Sequence, residues 1–330
     1  MTRWGLKIRA LGVWDTLIVV TGALGIPVDW EKKNVKEFSF VNTKVARHVQ
    51  HAFQALALDE HRRLFTPTLW EQPNGAHHLK KLKQCWFPGV HSNIGGSYPD
   101  AGLSNITLAW MISQLEDSDG GILAFNHEYL DQVQDWNMQG YTKRDEPIRS
   151  WGMGRIYDSA SPNSVLTAAQ GINPILRTPG EYCQIDLKTG LQDKNRPLLN
   201  TNEYIHRCVR VRWENGGLAT EDDPPNATAK VINTVTDGVM KFKEKFLHTD
   251  IPPPRDPKPA GLYQSPALAN YQLQVSKSVR IEINYPNPTP EDVYWRAKER
   301  NGGLPEDQLG RTEMRLLTRM GSKITAPKHS

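Results

Sequence analysis

Two short apolar segments, each followed by a titratable residue, constrain the fold of this chain most strongly. Residues 7–14 read KIRALGVW and lead into Asp15, whereas residues 82–87 read LKQCWF and lead through a Pro-Gly turn to His91. Short apolar runs that stop at turn residues are typical of buried β-strands. We therefore expect two strands, the first ending at an acidic side chain and the second close to a basic one.

Apolar residues at helical spacing occur beside both of these segments. They predict a first helix that begins near Lys44 and ends before Pro67, and a second helix over residues 103–115 with Ser104 as its N-terminal cap. The order strand, helix, strand, helix predicts an α/β fold with a largely parallel sheet and flanking helices.

The remainder of the chain divides into less regular parts. Residues 182–187 and 206–213 are predicted to be short strands or loop anchors. Eleven of the 23 prolines fall after residue 251. Partial alternation over 271–285 indicates a strand, and 291–299 is predicted to form a short helix. We expect one α/β domain over residues 1–215 and a Pro-rich extension over residues 216–330.

Composition excludes several classes of function. Lysine and arginine number 40 against 36 acidic residues, and this mild net charge of +4 argues against a nucleic-acid-binding protein. No run of 18 apolar residues occurs, so no transmembrane segment is expected. The three cysteines form no CxxC pair and no glycine-rich phosphate loop is present, so neither a metal nor a cofactor is expected. Sparse cysteines favour a reducing compartment, hence a cytoplasmic location.

Asp15 and His91 are the candidates for chemistry. Open parallel sheets place reactive groups at the carboxyl ends of their strands. An aspartate that accepts a hydrogen bond from a histidine ring holds one tautomer and stabilises the protonated ring. The alternative is an aspartate that forms a turn and a histidine with ordinary hydrogen bonds. The chain contains no G-x-S-x-G motif, so the nucleophile of such a triad is not evident.

Several blocks together resemble the α/β-hydrolase catalytic domain of type VI secretion phospholipase effectors, a domain that many fungal proteins share. The resemblance spans roughly residues 7–213, and its VWDT and PGVHS blocks are specific. The blocks are GVWDT (12–16), GALGIP (22–27), HAFQALALDEHRRLFTPTLW (51–70), WFPGVHSNIGGSYPDAGLSNITLAWM (86–111), RTPGEY (177–182) and TNEYIHRCVRVR (201–212).

This resemblance implies a partial α/β-hydrolase-like sheet in which Asp15 is the triad acid and His91 the triad base. It implies a lipid or other acyl ester as substrate. Family members carry Asp-Gly-Thr and G-F-S-R-G motifs that would lie before Met1, so we expect an N-terminally incomplete domain that is inactive as this chain. Residues 17–21 form a small insertion beside the site, and Asn93 stands where the family often has aspartate. A non-catalytic remnant that acts as a binding module is the alternative.

Overall fold

A computed structural model describes residues 6–16, 44–157 except 63, 64, 73 and 76, 175–185, 192–221, 262–275, 293–299 and 302–320. The strands are β1 (Leu11–Trp14), β2 (His51–Ala57), β3 (Lys81–Phe87), β4 (Ile156–Tyr157), β5 (Cys183–Ile185), β6 (Gln192–Pro197), β7 (Glu203–Ile205), β8 (Thr220–Glu221), β9 (Tyr271–Val275), β10 (Val293–Ala297) and β11 (Gly303–Pro305). The helices are α1 (His91–Gly95), α2 (Gly102–Asp117), α3 (His127–Lys143), α4 (Arg207–Glu214) and α5 (Arg311–Arg319).

A parallel sheet in the order β1-β2-β3-β7 forms the centre of the structure. A parallel bridge between Ile205 and Glu306 continues this sheet beyond β7. Phe53, Phe87 and Trp110 are fully buried in the core that the sheet shares with α2 and α5. The predicted parallel sheet with flanking helices is therefore confirmed. Because all four strands run the same way, their carboxyl ends lie along one edge.

The helix predicted from Lys44 is wrong. Residues 44–50 are irregular, and the next seven residues form β2, which is buried at every position. A parallel strand that is covered on both faces has a nearly continuous run of apolar residues. The apolar residues of HAFQALA therefore fit a central strand as well as they fit one face of a helix.

Two further predictions of secondary structure are wrong, whereas others are confirmed. Residues 207–214 form helix α4 and not a strand, and residues 293–297 form strand β10 and not a helix. Helix α2 agrees with the second predicted helix, although Ala101 and not Ser104 is its N-terminal cap. Strand β5 lies inside the range predicted as 182–187.

Residues from the predicted extension pack against the sheet. Strands β9, β10 and β11 form a separate antiparallel sheet, and α5 packs against α2. Three buried acidic residues of the 306–313 segment contact basic side chains of β3, of α4 and of the N-terminal cap of α4. The pairs are Asp307 with Lys83, Glu306 with Arg210 and Glu313 with His206. The division at residue 215 stays a prediction. The proline-rich stretch near residue 252 lies outside the described residues.

Within the described part of the chain, no helix is both long enough and apolar enough to cross a membrane. The cytoplasmic location predicted from the cysteine count stays a prediction.

Candidate active site

Asp15 is held rigidly against the neighbouring strand. It follows β1 directly and has a φ of +43°, a backbone conformation in which aspartate is one of the better tolerated residues. Its backbone N–H donates to the Ala55 carbonyl at 2.6 Å, and its Oδ1 accepts from the Ala57 N–H at 3.0 Å. The residue is fully buried. The carboxylate is therefore fixed in position, with Oδ2 left to face the rest of the site.

His91 meets this carboxylate from the end of β3. It is the first residue of α1, and its Nδ1 lies 2.8 Å from Asp15 Oδ2. About a third of its side chain is exposed, so one face of the ring reaches solvent. The two strand ends thus bring the carboxylate and the imidazole within hydrogen-bonding distance, whereas the catalytic roles of Asp15 and His91 stay predictions.

A glycine makes the turn before His91 possible. Gly89 has a φ of +112°, and a Cβ placed on it would lie 2.7 Å from Asn93 Cβ. Its N–H donates to the carboxylate of the buried Asp59 at 2.6 Å. Tyr263 also donates to this carboxylate, at 3.1 Å, yet burial prevails and raises the pKa of Asp59. The Gly89 hydrogen bond therefore attaches this turn to the segment that directly follows β2.

Sequence reasoning missed Arg177, the second partner of Asp15. Its Nη2 donates to Asp15 Oδ2 at 3.1 Å, the same oxygen that His91 contacts, and its Nε donates to the Glu60 carbonyl at 3.3 Å. The side chain is 3% exposed. The RTPGEY block that contains this arginine was recognised, but it gave no signal for the contact because its partner lies 162 positions away.

Glu60 is another residue that sequence reasoning missed. One carboxylate oxygen accepts from Arg62 Nε at 2.9 Å, and the other accepts from Arg62 Nη2 at 2.8 Å and from the His91 backbone N–H at 3.2 Å. Burial alone would raise the pKa of Glu60. Hydrogen bonds and charge from Arg62, helped by Arg177, outweigh burial and lower it to about 2. Glu60 is therefore ionised at neutral pH and accepts a hydrogen bond from the start of α1.

An aromatic ring packs against His91. The Phe65 ring makes a T-shaped contact with the imidazole, with 5.3 Å between the ring centroids. The Arg62 guanidinium lies over the Phe65 ring, 3.5 Å from its centroid. The tautomer with its proton on Nδ1 donates to Asp15 and leaves Nε2 as an unprotonated acceptor. An imidazole arranged in this way can take a proton from a hydroxyl group.

Asn93 differs from the aspartate that often occupies this position in the family that the sequence resembles. Its Nδ2 donates to the Arg155 carbonyl at 2.8 Å, and its Oδ1 accepts from the Val90 N–H at 3.2 Å. The residue is buried. An amide supplies both a donor and an acceptor here, whereas an ionised carboxylate supplies acceptors alone, which explains the asparagine.

Among the described residues, no group of three or more His, Cys, Asp or Glu side chains could hold a metal ion. The expectation that the chain needs neither metal nor cofactor stays a prediction.

Residues 1–114 match the family model described as T6SS, Phospholipase effector Tle1-like, catalytic domain. This stretch contains both Asp15 and His91 and confirms the resemblance over those residues, whereas Arg177 lies outside it. No curated protein and no solved structure matches the chain.

Proposed function

We propose that Asp15 and His91 are the acid and the general base of a serine-hydrolase-type site that acts on phospholipids or related acyl esters. The observation that carries this proposal is the 2.8 Å contact between Asp15 Oδ2 and His91 Nδ1 at the carboxyl edge of the parallel sheet. The match of residues 1–114 to a phospholipase effector catalytic domain supports the substrate class.

The chemistry follows from this arrangement. His91 Nε2 takes the proton from a serine hydroxyl while the serine oxygen attacks the ester carbonyl carbon. The protonated ring then gives that proton to the departing alcohol, and water later cleaves the acyl-serine bond by the same route. Asp15 remains ionised and orients the ring throughout.

The attacking serine is the part that these 330 residues do not identify, because no G-x-S-x-G motif occurs among them. Loss of a serine nucleophile lowers turnover by on the order of a million-fold in a comparable triad. We therefore infer that these residues on their own do not form an acyl-enzyme.

Two measurements on the chain test the proposal. A fluorophosphonate probe reports any activated serine, and ¹⁵N NMR of labelled histidine reports which ring nitrogen of His91 is protonated. We expect no labelling, and we expect Nδ1 protonated and Nε2 free in the neutral ring. Asp15→Asn should weaken this tautomer preference, and His91→Gln identifies the resonance.

Each other outcome has a defined meaning. A ring protonated on Nε2, or serine labelling that persists in His91→Gln, would contradict the role of the pair. Labelling that requires His91 would support the pair and refute the inferred inactivity.

A further inference from the structure

Asp15 has a second charged partner, Arg177, besides His91. His91 Nδ1 and Arg177 Nη2 both lie against Asp15 Oδ2, at 2.8 Å and 3.1 Å. With the Ala57 N–H on Oδ1, the carboxylate has three donors. Two of its three partners compete for one oxygen, so the position of the arginine bears directly on the histidine.

Arg177 and Asp15 are both buried, so the charge of Arg177 acts strongly on Asp15. Asp15 is fully buried and the arginine side chain is 3% exposed. Removing one partner of a buried ion pair is strongly unfavourable because the other charge is left without compensation. Arg177 therefore supplies the positive charge that compensates the buried Asp15 carboxylate.

The guanidinium is not fully satisfied. Among the residues that the structure describes, Arg177 Nη1 is buried without a hydrogen-bond partner. Nε reaches only the Glu60 carbonyl, at 3.3 Å. Burying a donor without a partner is unfavourable, so the burial of this guanidinium needs a compensating interaction. The contact of Arg177 Nη2 with the Asp15 carboxylate is such an interaction.

We propose that Arg177 is a positioning residue of the Asp15–His91 pair, which holds the buried Asp15 carboxylate in place and, by sharing Oδ2, weakens the attraction of that oxygen for the His91 ring. This inference rests on the proposed function of the pair. Without Arg177, the charge on Oδ2 would act on the imidazole alone. Arg177 takes up part of that charge, so its removal should change the electrostatic environment of His91.

Other charged and titratable groups face the same site. Glu60 accepts from the His91 backbone N–H, and Arg62 neutralises Glu60. Burial raises the pKa of Tyr182 to about 12, with Arg177 opposing, so this phenol is neutral. Glu60 and Arg62 form a compensated pair. Arg177 is therefore the group whose removal should change the charge felt by His91 most.

The test is an NMR titration of His91 in the full chain, with its resonance identified by His91→Gln. Arg177→Met should raise the midpoint of the His91 titration by about one pH unit, the order of effect of a charge a few ångströms away at intermediate polarity. Arg177→Lys keeps the charge and should leave the midpoint within about 0.3 of wild type. An unchanged or lower midpoint in Arg177→Met would overturn the proposal.

Arg62→Met is the matched control because it removes the other guanidinium of the site without touching Asp15. It should raise the midpoint by less than half as much, and an equal rise would also overturn the proposal. If Arg177→Met does not fold, the wild-type Arg177 Nε–H resonance gives the answer: it should titrate with the midpoint of His91, and a flat response contradicts the coupling. None of these readouts needs ester hydrolysis, so a failed labelling experiment and a failed titration remain distinguishable.

Discussion

At the scale of single residues, the candidate site depends on buried polar groups whose partners are chosen atom by atom. Asn93 shows this most clearly, since its amide donates to one backbone carbonyl and accepts from one backbone N–H on the turn that carries His91. A carboxylate could accept from Val90 but would face the Arg155 carbonyl oxygen with no proton to donate. The identity of this side chain is therefore set by hydrogen bonding and not by charge.

We predict that Asn93→Asp lowers the free energy of unfolding by about 1 to 3 kcal/mol at neutral pH, the usual effect of leaving a buried polar group unsatisfied. The loss should shrink as the pH falls, because a protonated carboxyl group can again donate to Arg155. Urea unfolding at pH 7 and pH 4 measures both effects. Equal stability of wild type and variant at pH 7 would show that Arg155 does not need this donor.

Glu60 gives a second prediction at this scale, and its sign follows from its pKa. Arg62 lowers the folded pKa to about 2 from an ordinary value of 4.5. A lowered folded pKa adds stability that is present above the unfolded value and is lost as the pH falls towards the folded value. The difference corresponds to about 3 kcal/mol, of which about 2 kcal/mol should be lost by pH 3.

The stability difference between wild type and Glu60→Gln should therefore narrow by about 2 kcal/mol between pH 6 and pH 3 in urea unfolding experiments. Glu128→Gln, which changes an exposed glutamate in the first turn of α3, is the control and should show no such narrowing. A difference that stays constant with pH would mean that Arg62 does not hold Glu60 ionised.

At the scale of elements, the sequence predicted the strand ends better than the helices. Asp15 and His91 were found because strands β1 and β3 end in turn residues, and this signal is local. Arg177 and Glu60 were not found, because a charged loop residue carries no periodicity and its partner depends on the folded arrangement. Most of the charged groups that surround the Asp15–His91 pair were therefore invisible to the sequence pattern.

Helix α4 was misread for a specific reason. Residues 208–213 read CVRVRW and alternate apolar and charged side chains as a half-buried strand would. Arg210 and Arg212 are buried all the same: the first pairs with Glu306, and the second donates to the carbonyls of Gly152 and Gly154. The charged residues of this helix are buried like the apolar ones. The alternation of charged and apolar residues therefore did not show which residues are buried. Strand β10 was the opposite case, since Val293, Trp295 and Ala297 alternate as buried residues and the period of two was present.

Helix α5 depends on one carboxylate. Glu313 Oε1 lies 2.7 Å from His206 Nε2, and Oε2 accepts from the Gly310 N–H at the start of the helix. Burial raises the pKa of Glu313, although His206 opposes this. The side chain thus caps its own helix and joins it to the start of α4.

We predict that Glu313→Ala lowers the free energy of unfolding by about 3 kcal/mol, because it leaves the buried His206 ring nitrogen and the half-buried Gly310 N–H without this acceptor. Glu313→Gln keeps an acceptor oxygen and should lose less. Arg311→Ala, at an exposed position on the same helix, should have little effect. Urea unfolding of the three variants measures the order, and an equal effect of Arg311→Ala and Glu313→Ala would contradict the role of the carboxylate.

At the scale of the whole molecule, the same 306–313 segment supplies counter-charges to the central sheet and to α4. Lys83 on β3 pairs with Asp307, which also accepts from Trp110 Nε1 at 2.7 Å. Arg210 on α4 donates to both oxygens of Glu306, at 2.7 Å and 2.9 Å. The acidic residues of the 306–313 segment therefore complete the α/β unit from positions about 100 or more residues after the side chains that they contact.

This arrangement leads to a prediction about the boundary at residue 215. A chain that ends there retains Lys83, Arg210 and His206 but loses their partners Asp307, Glu306 and Glu313, and Arg210 is left with Glu214. Each buried charge left without its partner is unfavourable by about 3 to 5 kcal/mol, and the sum approaches or exceeds the stability of an ordinary domain, about 5 to 15 kcal/mol. We expect residues 1–215 alone to show no cooperative thermal transition and to bind a hydrophobic dye, whereas the full chain unfolds cooperatively. The triple variant Lys83→Met, Arg210→Met, His206→Phe should restore part of the cooperativity to the short chain, because it removes the unpaired groups. A short chain that melts at the temperature of the full chain would instead support an independent domain that ends at residue 215.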